Sequence, residues 1–118
     1  MEMKVLHLIL KKKWFDMILS GEKKEEYREF GDYWLKRLSN FFETAGCIEK
    51  SKEFPDGYEF NHYDIVCFRH GYAANAPEIR IECLGIKEGR CRPNWSDNAK
   101  GTHIVISLGN IISTNNIS

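Results

Sequence analysis

Between Lys4 and Phe42 the apolar residues change period three times, and that succession limits the fold more than composition does. "KVLHLIL" (Lys4 to Leu10) alternates, with Leu6, Leu8 and Leu10 on one face and Val5, His7 and Ile9 on the other. That pattern predicts a strand buried on both sides. In "KKKWFDMILSG", Trp14, Phe15, Ile18 and Leu19 recur at helical spacing and Gly21 supplies a left-handed terminator. "KKEEYREF" alternates again, and "GDYWLKRLSNFFE" returns to the helical period through Trp34, Leu35, Leu38, Phe41 and Phe42, with Asp32 placed to cap its start. Only strand patterns follow, in "HYDIVCFRHGY", "EIRIECLGI" and "THIVISLGNII", ahead of a polar "STNNIS" tail. Two early helices followed by strands do not alternate as a doubly wound parallel sheet requires. The expectation is an α+β fold, a small mixed β-barrel of five to six strands with two or more helices against it.

At 118 residues, the chain is long enough for one core and is read as a single domain over residues 1–118. "TAGCIEKSKEFPDGYEFN", from Thr44 to Asn61, has mixed polarity and a Pro-Asp-Gly turn signal, and is expected to form a loop or small excursion. "GYAANAP" and "CRPNWSDNAKG" are too long for two-residue hairpins and are read as shaped loops.

Lys plus Arg and Asp plus Glu each total 17, so attraction to a polyanion has to come from a local patch. The chain has neither a signal-peptide pattern nor an apolar run near the ~20 residues that span a bilayer, and a cytoplasmic protein without membrane contact is expected. Cys47, Cys67, Cys83 and Cys91 form no Cys-x-x-Cys pair and are read as buried or incidental thiols. His7, His62, His70 and His103 lack paired ligand spacing, so neither a metal nor a cofactor is expected.

Three polar sets carry chemistry. The first is Lys23, Lys24, Glu26 and Arg28, with Glu26 and Arg28 on one face of the presumed strand. An inward face would force these charges to pair, because an unpaired buried ion costs several kcal/mol. An outward face would make them a solvated surface, with Tyr27 filling the core instead; spacing alone leaves both readings open. Arg80 and Glu82 repeat that placement opposite Ile79 and Ile81. Arg69, His70 and Tyr72 flank Gly71 at a strand end, where charge and a ring for base stacking come together. Trp95 stands alone in a polar loop, as a lid on the barrel or a stacking platform. A Gly-rich phosphate loop, a serine nucleophile elbow and a Cys-His constellation are all missing, which leaves lysine and carboxylate chemistry, with Lys23 and Glu26 the compact pair.

The segments "LHLILKKKWFDMILSGEKKEEYRE", "YWLKRL", "FRHGYAANAPEIRIECLGI" and "THIVISLG" together resemble the ASCH (activating signal cointegrator homology) domain family of the PUA-like superfamily. The most specific piece is Ser-Gly-x-Lys-(Lys/Thr)-x-Glu-x-Arg behind an amphipathic helix, followed later by Phe-x-x-Gly-Tyr. The resemblance implies a PUA-like barrel whose mouth forms a cleft for RNA or a nucleotide-like ligand, lined by Lys23, Glu26 and Arg28, with Arg69, Tyr72 and Glu82 as neighbours. It turns the reading of the charged strand from solvated face to cleft. Some compact members resemble this chain in size and hydrolyse N4-acylated cytidines with a Lys, Thr and Glu set. Their lysine corresponds to Lys23, their threonine position carries Glu26, and their glutamate has no counterpart here.

The leading expectation is therefore an RNA- or nucleotide-binding domain using Lys23, Glu26, Arg28, Arg69, Tyr72, Glu82 and Trp95. A hydrolase acting on N4-acylated cytidine or on RNA through Lys23 and Glu26, without metal, is the first alternative. A protein-interaction module is the second.

Overall fold

The computed structural model describes residues 2–44 and 58–117. Strand β1 (Val5–Ile9) leads into helix α1 (Lys12–Leu19), β2 (Glu25–Glu29) and helix α2 (Asp32–Leu38), with one further helical turn at Phe41–Thr44. The rest is strand: β3 (Ile65–Arg69), β4 (Glu78–Arg90) and β5 (Thr102–Asn115), with a short 3₁₀ turn at Pro93–Trp95. The strands form one sheet in the order β1-β3-β4-β5-β2. β1 runs parallel to β3 and every other pairing is antiparallel, so the sheet is mixed. It curls into a half-barrel, and register shifts along the long β4–β5 ladder accommodate the bend.

Both helices fill the curl. The apolar stripe of α1 buries Trp14, Phe15 and Ile18 against Leu8, Leu10, Val66, Phe68, Ile79, Ile81, Ile106 and Leu108. Leu35 and Leu38 of α2 pack with Phe41 and Ile104. On the outside of the sheet, Tyr27, Cys91, Trp95 and Val105 form a third cluster, made by the loop that follows β4 folding back over β2.

Four expectations change. β1 is an edge strand, so Leu8 is buried while His7 is exposed, and it is not covered on both faces. Gly31, and not Asp32, occupies the N-cap of α2. The predicted long second helix breaks at Ser39, whose extended backbone bridges Phe60 while its hydroxyl donates to the Leu35 carbonyl and accepts from Phe41 N–H. Part of the presumed polar tail belongs to β5, where Ser113, Thr114 and Asn115 pair with Arg80, Ile79 and Glu78. Most of the Thr44–Asn61 excursion, Cys47 included, lies outside the described residues. Cys67, Cys83 and Cys91 are free thiols, each pushed above its ordinary pKa chiefly by burial. Among the described residues no helix is long and apolar enough to cross a membrane.

Candidate functional site

The site grows from the end of α1. Gly21 takes a left-handed conformation at φ 84°, and its N–H closes on the Ile18 carbonyl at 3.1 Å. The chain then doubles back, and the Lys23 N–H donates to the Met17 carbonyl at 3.0 Å. That bond ties Lys23 to the helix before β2 begins. The Lys24 carbonyl accepts from Leu108 N–H at 3.0 Å and carries the ladder into β2.

Register decides which β2 side chains turn inward. Glu26 lies opposite Ile106 and Arg28 opposite Ile104, whereas Tyr27 lies opposite Val105. Residues directly opposed on antiparallel strands share a face. Ile104 and Ile106 belong to the two interior clusters, so Glu26 and Arg28 point into the half-barrel. Tyr27 points outward and is nevertheless buried, because the loop carrying Trp95 covers it. The two readings of "KKEEYREF" were framed as exclusive, and they are not: the charged face is turned inward and the tyrosine is buried as well. Lys24 is exposed.

Lys23, with 1% of its surface exposed, is among the most buried side chains of the protein. Its Nζ donates to Glu26 Oε1 at 2.6 Å, and the other oxygen, Oε2, accepts from Arg28 Nη2 at 2.8 Å. The same Arg28 nitrogen donates to the Ile9 carbonyl at 3.2 Å. Aromatic rings complete the cage. Lys23 Nζ lies 4.6 Å from the centre of the Trp14 ring and 5.6 Å from that of Tyr27, while the Arg28 guanidinium lies 4.9 Å from Trp34. Two cations thus share one carboxylate, leaving a net positive charge. Glu26 has both oxygens engaged, whereas Lys23 uses one of its three donors and the buried Arg28 Nε has no hydrogen-bond partner among the described residues.

This triad lines a cleft of about 720 Å³ walled by Trp14, Trp95, Asp97, Lys100 and His103. Asp97 accepts from Lys11 Nζ at 3.1 Å and from the Trp14 indole at 3.3 Å, and these bonds hold its carboxyl below the usual range. The buried Trp95 indole nitrogen has no partner among the described residues. Tyr27 donates to Glu25 Oε1 at 2.6 Å and accepts from Arg92 N–H at 3.1 Å, and burial above all lifts its phenol far above the ordinary tyrosine value.

Of the residues singled out in the sequence, Lys23, Glu26, Arg28 and Trp95 line this one cleft. Tyr72 lines a second cavity, which also includes Arg28. Arg69 and Glu82 line neither of the two. The Arg69 guanidinium donates to the carbonyls of Ala73 and Ala74 and lies 3.6 Å from Glu78, shaping the "GYAANAP" loop. Glu82 accepts from Asn110 N–H within the β4–β5 ribbon. Trp14 and Trp34 stand out in the sequence only as members of the two helical apolar periods, yet Trp14 of α1 lies against Lys23 and Trp34 of α2 against Arg28. Among the described residues no three His, Cys, Asp or Glu side chains converge as a metal site. No family model, curated protein or solved structure matches the chain.

Proposed function

We propose that the chain is an ASCH-type domain of PUA-like fold that binds RNA or a nucleotide-like ligand in the cleft floored by Lys23, Glu26 and Arg28, in the cytoplasm. The observation that carries this reading is the triad in which the buried Glu26 carboxylate lies between the buried Lys23 and the half-buried Arg28. Each oxygen of its carboxylate is already engaged, and the donors left over on Lys23 and Arg28 want acceptors: phosphate oxygens or the carbonyls of a base. The half-barrel and the residue match of the "SGEKKEEYRE" segment support the same assignment. Within the cleft the rings of Trp14 and Tyr27 enclose the Lys23 ammonium, so recognition there rests on hydrogen bonds and charge more than on stacking.

Titration of short single-stranded RNA at low salt into wild type, Arg28→Ala and Arg28→Lys tests the proposal, with circular dichroism to confirm that each variant is folded. Losing a charge-assisted bond of about 1.5–3 kcal/mol corresponds to weakening by roughly 10- to 100-fold. Equal affinity in all three would overturn it, and no binding by any of them would favour a protein-interaction module.

The 2.6 Å contact between Lys23 and Glu26 also supports a hydrolase, with Lys23 as base or nucleophile and Glu26 as proton shuttle. As an ion pair Lys23 presents donors and not a lone pair, and so the binding reading ranks above it. Incubation with N4-acetylcytidine and with RNA separates the two; turnover by wild type above a Lys23→Met control is the result that would promote the enzyme.

A further inference from the structure

The second cavity, about 760 Å³, adjoins the cleft across Ile9, Leu10, Lys11 and Arg28, which line both. Its composition is one-sided. Lys11, Arg28 and Arg37 line it together with His7 and His70, and among the described residues no aspartate or glutamate does. In a chain whose formal charges cancel, a cavity with three cations and no carboxylate is a local patch of the kind that attracts a polyanion. Lys11 and Arg28 have acidic partners, Asp97 and Glu26, supplied from the cleft side. Arg37 has no carboxylate partner among the described residues; its guanidinium stacks 4.3 Å from the Tyr33 ring.

Aromatic rings alternate with these cations. Tyr33 meets Trp34 edge-on at 5.0 Å, and Trp34 carries Arg28, so the order Arg28, Trp34, Tyr33, Arg37 runs from the cleft out to the surface. Tyr72 lines the same cavity and is 88% exposed; it follows Gly71, at φ 110°, on the loop that Arg69 braces. An exposed ring in the same cavity as ring-stacked cations is what successive bases of a single strand require: π-faces for the bases and positive charge for the backbone.

We infer that the second cavity is a track for single-stranded nucleic acid, in which a strand anchored at the Arg28 cleft continues over Arg37, Tyr33 and Tyr72. The inference rests on the cleft reading above and narrows it, since the ligand becomes an oligonucleotide and not a free nucleotide. An acidic polypeptide would satisfy the charge but not the exposed rings.

The test compares uridine monophosphate with a labelled hexauridylate on wild type, Arg37→Gln, Tyr72→Ala and Arg28→Lys. Arg37 and Tyr72 are exposed, so these variants fold. The expected result is tighter binding of the hexamer than of the mononucleotide, and roughly 5-fold or greater weakening of the hexamer by Tyr72→Ala. Arg37→Gln should also weaken the hexamer and flatten the dependence of log affinity on log salt by about 0.7. Neither variant should change mononucleotide binding, whereas Arg28→Lys should weaken both ligands. A hexamer bound no more tightly than the mononucleotide, or unaffected by both surface variants, overturns the track while leaving the cleft standing. Polyglutamate competing as well as the hexamer would overturn it in favour of an acidic partner, and absence of binding to either RNA ligand would remove track and cleft together.

Discussion

The guanidinium of Arg28 reaches the backbone carbonyl of Ile9 at 3.2 Å, so the two edge strands of the sheet meet through a side chain and not through a ladder. An open sheet edge leaves backbone groups unpaired and invites pairing with another chain. Here a charged side chain closes part of that seam, and the seam is where the cleft opens. The same residue that lies on the cleft floor therefore also holds β1 against β2.

Arg28→Lys tests the seam. A lysine keeps the charge but has neither the planar fork nor the reach to serve Glu26 and Ile9 together while lying on Trp34. The expected loss is about 1–2 kcal/mol of stability, read as a lower urea midpoint with unchanged m-value. A changed m-value would mean that the seam had opened in the native state.

Gly21→Ala tests how the cap of α1 sets Lys23. A Cβ at Gly21 meets nothing within 4 Å, so the whole cost is the left-handed backbone, about 1–2 kcal/mol. Asn tolerates that conformation better, and Gly21→Asn should recover part of the loss. If alanine and asparagine destabilise equally in thermal melts, the backbone explanation fails.

The elements carried by strong periodicity were legible from the residues: α1 with Gly21 behind it, the apolar face of α2, and β3 between its turns. The triad was legible as a set of three but not as a geometry. Alternation assigns Glu26 and Tyr27 to opposite faces and stops there; that both faces of β2 are covered follows from α1 on one side and the Trp95 loop, nearly seventy residues later, on the other. Arg69 and Glu82 look like site residues in one dimension because Arg69 flanks Gly71 together with Tyr72, and Glu82 alternates with Arg80 as Glu26 does with Arg28. What separates them is tertiary: loop carbonyls and a ribbon N–H satisfy them away from the cleft. The ends of α2 and β5 were misjudged because a serine turn and a polar strand carry no apolar period.

Tyr27 should leave a signature in alkali. Its phenol, lifted by burial, stays protonated in the folded chain at a pH where an unfolded tyrosine has ionised. Above about pH 10 the unfolded state therefore binds fewer protons than the folded one, and stability falls as pH rises. The contribution of this group is complete below pH 10 and declines above it, with a limiting slope near 1.4 kcal/mol per pH unit. Tyr27→Phe lacks the term, so urea midpoints between pH 9 and 11 should fall less steeply for the variant. Parallel slopes would show that the phenol is not shielded.

Glu26 and Lys23 are both buried and ion-paired, yet their removal should differ sharply. Lys23→Met leaves a carboxylate that Arg28 still neutralises at 2.8 Å, and the methionine fills the space against Trp14 and Tyr27. Glu26→Gln leaves the buried Lys23 and the half-buried Arg28 facing one neutral amide. Breaking a buried pair from one side typically costs about 3–5 kcal/mol because the surviving charge has no partner, and here two survive. The order of stability should be wild type, then Lys23→Met within about 1–2 kcal/mol, then Glu26→Gln several kcal/mol lower. The double variant Lys23→Met/Glu26→Gln retains only Arg28 unpaired and should be more stable than Glu26→Gln alone. That rescue is the discriminating result of the cycle: additive losses would mean that Lys23 and Glu26 act independently, against a buried 2.6 Å contact.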